Sequence, residues 1–308
     1  MTESTKQQPT STVDETAAAR ALAEREGRLA AYAGEDKVIP SSEMRALLAE
    51  QTWNQVRFFS HIPALDRAVG GFEGGELIVI SGPTKNGKSL LGQTLTSRFH
   101  DEGINALWFS FEVPVRQFLK QLPETCEFYL PSQLVPYKPE WLDDRILESK
   151  LKHNSRAVFI DHLHFLIDIE RAGRGNFSLD IGTVVRKLKR MAIRYNVVVF
   201  LMAHATKGLD ASGLPRDLEA SDVRDSSFIA QEADSTWIIQ RMRSKEDKTL
   251  YTHNAVLKIC NHRRTGVMGE KIYLTKPEGR SLFEPLDAGE NQQLEAFDGR
   301  NGNDALRY

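Results

Sequence analysis

The chain has 308 residues, of which 41% are hydrophobic and 27% charged, enough apolar content for the core of one large domain or two small ones. No apolar run approaches a membrane span and the polar N-terminus has no signal-peptide core, so no membrane partner is expected. The net charge of −2 excludes a polycation, and two cysteines, Cys126 and Cys260, are too few for a disulfide framework or a zinc site and read as buried, reduced thiols of a cytoplasmic protein.

Residues 1–40 are rich in Thr, Ser, Gln, Ala and Glu. A helix over 14–32 would have little to bury, so this tract predicts a disordered or weakly attached arm. Ser41, Ser42 and Glu43 offer N-caps ahead of Met44, Leu47, Leu48, Trp53 and Val56, which predicts an amphipathic linker helix over 41–57. From 58 to about 280, short apolar runs alternate with helical patterns. Strands are expected at 76–80, 105–110, 157–161, 197–203, 235–240, 255–260 and 271–274, with helices at 89–99, 114–121, 139–152 and 180–195. In the last of these, Ile181, Val184, Val185, Leu188 and Ile193 form the apolar stripe. This pattern predicts an α/β fold with a mainly parallel sheet flanked by helices, and an antiparallel extension where the last strands lack helices between them. From Ser281 on, the chain is polar and reads as an acidic tail.

Gly82-Pro83-Thr84-Lys85-Asn86-Gly87-Lys88-Ser89 is a complete G-x-x-x-x-G-K-[ST] phosphate loop, preceded by the apolar Leu77-Ile78-Val79-Ile80 and followed by a helical pattern. Backbone N–H groups of such a loop close around phosphate, and the helix behind it adds the positive end of its dipole. Lys88 is expected at the β- and γ-phosphates of ATP, and Ser89 at Mg2+. Ala157-Val158-Phe159-Ile160-Asp161 is an apolar strand ending in a carboxylate, so Asp161 is the second candidate for Mg2+. Glu112 follows the run 106–111 and can accept a proton from an attacking water; a surface Glu opening a helix at Pro114 remains the alternative. His204 ends a third apolar run and can sense the γ-phosphate, unless it is purely structural. Arg263 lies in a basic turn between two strands, where it can serve a neighbour's nucleotide or be solvated.

Between 171 and 216, nine Lys/Arg face only Asp180 and Asp210, a local excess that fits either a phosphate-backbone partner or a solvated helix face. Arg171 and Arg174 fall in a Gly-containing stretch after the Asp161 strand, and Lys207 and Arg216 bracket another after His204.

These blocks, in this order over 58–280, resemble the motor domain of DnaB-type replicative helicases within the RecA-like ATPases. The residues that carry the resemblance are His61 to Asp66 with Gly70-Gly71, the phosphate loop, 109–114 with Glu112, Asp161-His162-Leu163-His164, 221–241, and 261–266 with Arg263. His164, His204 and Asn261 stand where members commonly carry Gln, Gln and Lys, and His204-Ala205-Thr206-Lys207 is similar to the H-x-x-K block of small plasmid-type ring helicases, which are also lone motor domains. The resemblance implies a stand-alone, ATP- and Mg2+-dependent motor, working as a homo-oligomeric, hexameric ring on single-stranded DNA in replication, with a primase or helicase loader as possible partners. It places Glu112 as the catalytic base and Arg263 as a finger acting in trans. Arg171, Arg174, Lys207 and Arg216 would then be phosphate contacts in the ring channel. A recombinase-like filament former, or a regulatory ATPase without nucleic acid, shares the same motifs.

Overall fold

The computed structural model describes residues 12–50, 57–136, 138–167, 177–205, 216–223, 229, 231–244 and 250–286. The chain divides into two units, residues 1–54 and 55–308. In the first, helices α1 (Thr12–Ala30) and α2 (Ser41–Glu50) form. The tract expected to be disordered or weakly attached is helical over 12–30, with Leu22 and Leu29 exposed, as are Met44 and Leu47 of α2. Trp53 and Val56 of the expected linker helix lie outside the described residues.

The second unit is built on an eight-stranded sheet. Its strands are β1 (Leu77–Gly82), β2 (Ala106–Ser110), β3 (Ala157–Asp161), β4 (Val198–His204), β5 (Ser235–Arg243), β6 (Tyr251–His262), β7 (Glu270–Thr275) and β8 (Glu284–Pro285), in the spatial order β2-β3-β4-β1-β5-β6-β7-β8. The first five are mutually parallel, and β5 through β8 pair antiparallel. This is the expected class, and all seven expected strands form. The helices are α3 (Pro63–Val69), α4 (Lys88–Asp101), α5 (Val115–Leu119), α6 (Pro139–His153) and α7 (Phe177–Tyr195). No helix among the described residues is long and apolar enough to cross a membrane.

Strands buried on both faces explain the unbroken apolar runs. On one face Ile78 and Ile80 join Phe72, Phe99, Trp108, Phe159, Phe200 and Trp237; on the other, Leu77 and Val79 pack with residues of α6 and α7. In α7 the buried stripe runs Ile181, Val185, Leu188 and Ala192, whereas Ile193 is 60% exposed. Five residues beyond Leu188 is well off the helical face, so Met191 and Ala192 continue the stripe instead. Both cysteines are free and buried, and burial pushes each thiol up to about 11.

The ordered core also runs past residue 280. Phe283 is buried against the apolar cluster, its N–H donates to Thr94 Oγ1 at 3.0 Å, and β8 closes the sheet edge. Residues 281–286, expected to open the tail, are therefore part of the folded unit; residues 287–308 lie outside the described residues.

Candidate nucleotide-binding site

Parallel strands bring their C-terminal ends to one edge of the sheet, and the phosphate loop leaves β1 there. Gly82 has φ 153°, and a Cβ on it would meet the Ile239 carbonyl oxygen at 2.3 Å, so only glycine fits the turn. Gly87, at φ 99°, begins α4 and has the Phe283 ring 3.0 Å from where its Cβ would lie. Buried Asn86 holds the loop to its neighbour strand: its Oδ1 accepts the Arg241 N–H at 2.9 Å. Pro83, Thr84 and Lys85 complete the loop, with Lys85 at φ 65°.

Lys88 lies in the first turn of α4. Its Nζ donates to the loop's own carbonyls, Gly82 at 3.0 Å and Pro83 at 3.2 Å. Burial lowers its pKa, partly offset by Asp161 and Glu112. Ser89 Oγ donates to Asp161 Oδ2 at 2.5 Å, joining the start of α4 to the end of β3. Asp161 is fully buried, and burial outweighs the Ser89 hydrogen bond, so its carboxyl is pushed up to about 6. Its Oδ1 has no hydrogen-bond partner. A buried carboxylate oxygen without a partner, next to a serine hydroxyl, is an oxygen donor set suited to Mg2+. Ser89 and Asp161 therefore fit the role expected of them.

Two neighbouring strands complete the edge. Glu112 lies just beyond β2, its N–H donating to the Asp161 carbonyl at 3.3 Å, and its side chain is exposed. His204 ends β4 directly beside Gly82 in the parallel register. Sequence reasoning missed His162, one residue past Asp161: it is buried, and its ring centroid is 3.8 Å from that of His204. The adjacency of β3 and β4 creates this pair, and no spacing in the sequence signals it.

Arg263 is placed elsewhere. Ser235 lies opposite both Ile78 on β1 and His262 on β6, so the turn after β6 is at the N-terminal end of β1, away from the phosphate loop. Four residues of strand from Ile78 to Gly82 correspond to about 13 Å. The Arg263 side chain is 57% exposed and donates to Gln231 O at 3.0 Å and to Asp234 Oδ1 at 3.4 Å. Arg264, by contrast, is committed to Glu76 and to the carbonyls of Val69 and Gly71.

Arg171, Arg174 and Lys207 lie outside the described residues. Arg216 is described, and its guanidinium is held by both carboxylate oxygens of Asp222. The basic excess is neutralised more than the sequence suggests. Arg186 pairs with Glu232, Lys187 with Glu140, Lys189 with Asp234 and Arg194 with Asp143, all acids from outside that stretch.

Residues 137–278 match the family of the DnaB-like helicase C terminal domain. The replicative DNA helicase DnaB of Mycoplasma pneumoniae is 23% identical over 247 residues, 67% of this chain and 52% of that protein, so the chain spans about half the length of the curated relative it matches. Among solved structures, the ATPase domain of G40P superposes with a TM-score of 0.67 at 18% identity, over 80% of this chain and 99% of that one. A DnaB-like replicative helicase, solved in work on its interactions with primase, gives 0.64 at 17% identity, over 87% and 72%. The chain shares the fold of these two structures.

Proposed function

The chain resembles the motor domain of DnaB-type helicases, and on that premise we propose that it is an ATP-hydrolysing, ring-forming helicase motor acting on single-stranded DNA during replication in the cytoplasm. The observation that carries this reading is the Ser89–Asp161 contact at 2.5 Å, with Lys88 and Glu112 on adjacent elements of the same sheet edge. Ser89 and Asp161 would hold Mg2+, which would supply charge neutralisation and orientation of the β- and γ-phosphates. Lys88 exchanges the loop carbonyls for the phosphates. Glu112 takes the proton of the water that attacks the γ-phosphorus, as the bond to the β–γ bridging oxygen breaks and ADP leaves. His204, in register with Gly82, reads whether the γ-phosphate is present and passes that to the segment following β4.

The position of Arg263 supports assembly. It is at the wrong end of its own sheet to serve its own phosphate loop, so it acts on the nucleotide of an adjoining copy, an arrangement that repeats head to tail and closes as a ring, hexameric by family likeness. Arg171, Arg174 and Lys207 contact DNA phosphates, while Arg216 braces its loop through Asp222. A primase or a loader is a candidate partner.

Unwinding of a forked duplex by the purified chain with ATP and Mg2+ tests the reading. ATP hydrolysis that single-stranded DNA neither stimulates nor couples to unwinding would identify a regulatory ATPase instead, and open helical filaments on DNA a recombinase-like protein. Replacing Arg171 and Arg174 together should weaken single-stranded DNA binding and reduce its salt dependence by about two phosphate contacts. An unchanged salt slope would remove these residues from the DNA path.

A further inference from the structure

The ends of β2, β3 and β4 bring together a second set of ligand atoms beside the Ser89–Asp161 pair. Glu112, His162 and His204 each offer one ligating atom, and these atoms lie within 4.8 Å of one another. We propose that they form a binding site for a transition-metal cation of the Zn2+ class, separate from the Mg2+ ligands, and that its occupancy switches hydrolysis off.

The donor types carry the choice of metal. Two imidazole nitrogens and one carboxylate are a set that Zn2+ binds and Mg2+, which demands oxygen, does not. In a tetrahedral zinc site with bonds of about 2.0–2.1 Å, neighbouring ligand atoms stand about 3.3 Å apart. The trio reaches that geometry by closing up to about 1.5 Å, which the exposed Glu112 and half-buried His204 can do. His162 is the anchored member, 3% exposed. Its Nδ1 lies 3.3 Å from His164 Nδ1. Its Nδ1 also accepts the His164 N–H at 3.2 Å, so metal binding through Nε2 requires the tautomer to switch: the proton moves to Nδ1, the N–H contact is given up, and Nδ1–H donates to His164 Nδ1 instead. This is the way an outer imidazole or carboxylate fixes the tautomer of a metal-bound histidine. The site needs no cysteine, which is why counting Cys126 and Cys260 gave no sign of it.

The consequence for activity rests on the ATPase reading above. A Glu112 oxygen bound to the metal is no longer a proton acceptor, and His204 is no longer free to answer the γ-phosphate. Three protein ligands leave the fourth zinc position to water, so the site closes without displacing Ser89 or Asp161.

Binding and inhibition are separable by experiment. Untagged protein without nucleotide is titrated with Co2+ as a spectroscopic substitute for Zn2+, in a large excess of Mg2+, followed by Zn2+ competition. A saturable 1:1 visible band of low-coordinate Co2+, displaced by Zn2+, is expected. Glu112→Gln and His204→Gln should each weaken it at least about tenfold. Neither residue is buried in the core, and circular dichroism checks their folding. Ser89→Ala, which removes a Mg2+ ligand, should leave the band unchanged. In the wild type, Zn2+ at the concentration that displaces Co2+ should stop Mg2+-ATP hydrolysis, and a chelator should restore it. A band insensitive to both substitutions, abolished by Mg2+ or lost in Ser89→Ala, would overturn the site. Zn2+ that binds the trio yet leaves hydrolysis unchanged, or raises it, would overturn the switch. A chain that binds Co2+ through the trio but never hydrolyses ATP would refute the ATPase reading while leaving the metal site standing.

Discussion

The two ends of the parallel sheet are built on opposite electrostatic plans. At the phosphate-loop end, Asp161 is buried with one carboxylate oxygen unpartnered, and Lys88 turns back onto the carbonyls of its own loop. At the other end, Asp234 accepts from the Leu77 N–H at 2.8 Å, from Lys189 at 2.5 Å and from Arg263, while Arg264 and Glu76 pair at 2.8 Å beside it. One end leaves a buried carboxylate oxygen unpartnered; the other pairs its charges within the chain and presents an arginine outward. On the proposed function, the first end binds nucleotide and the second is offered to a neighbour.

The largest expected effects test that division. Arg263→Ala should lower ATP hydrolysis by about 10³-fold or more, with nucleotide affinity and fold preserved. Mixed with Lys88→Ala subunits it should regain part of the activity, because some interfaces then pair an intact loop with an intact finger. Failure of all mixing ratios, in assemblies shown to exchange subunits, would place the finger in cis and contradict its position. Lys88→Ala alone should lose about 10²-fold or more by removing the phosphate counterion. Glu112→Gln should lose a similar amount while still binding ATP, since an amide is a poor proton acceptor. Phosphate release and fluorescent-nucleotide titration separate the two, and normal turnover by Glu112→Gln would reassign the base.

Stability should respond at the finger end. Asp234→Ala leaves the Leu77 N–H without its acceptor and the part-buried Lys189 with only the Gly75 carbonyl, which destabilises the fold by about 2 kcal/mol in urea unfolding. Ser89→Ala removes a contact that serves the ligand more than the fold, so a change under about 1 kcal/mol is expected. Equal losses at the two positions would erase the distinction drawn between the ends.

How much of this was legible in the sequence follows from the range of the interactions. The strands were readable because burial on both faces demands uninterrupted apolar side chains, and the phosphate loop because its backbone geometry demands Gly82 and Gly87. Contacts set by sheet order were not. The adjacency of β3 and β4 places His162 against His204, and the antiparallel return of β6 carries Arg263 to the end away from Gly82. Charge counting over 171–216 overstated the free basic surface, because the partners Glu140, Asp143, Asp222, Glu232 and Asp234 come from other parts of the sequence. Phe283 was hidden by its polar surroundings: one aromatic residue is enough to dock a strand, but it makes no periodic signal.

The smallest effect is the most discriminating, because the two ends should titrate in opposite directions. Burial raises the Asp161 carboxyl from 3.8 to about 6, so the nucleotide-free fold binds this proton more tightly than the unfolded chain does. Acidification from pH 7 toward 5 therefore stabilises through Asp161. At the finger end, burial and then Arg264 lower His262 from 6.5 to about 4, so its neutral form supports the fold. His262 Nδ1 accepts the Thr265 N–H at 3.2 Å, within the turn that carries Arg263. That contribution is present above pH 6.5 and is lost as pH falls from there toward 4. The opposing contributions, each on the order of 1 kcal/mol between pH 7 and 5, should leave the nucleotide-free wild type nearly flat in urea unfolding. Asp161→Asn should expose the acid-labile slope of His262, and His262→Gln the acid-stabilised slope of Asp161. Added Mg2+ and ADP should restore pH dependence to the wild type, stabilising it more at pH 7 than at pH 5, because the metal competes with the Asp161 proton. Parallel slopes in the two variants would mean that neither end titrates as its burial requires.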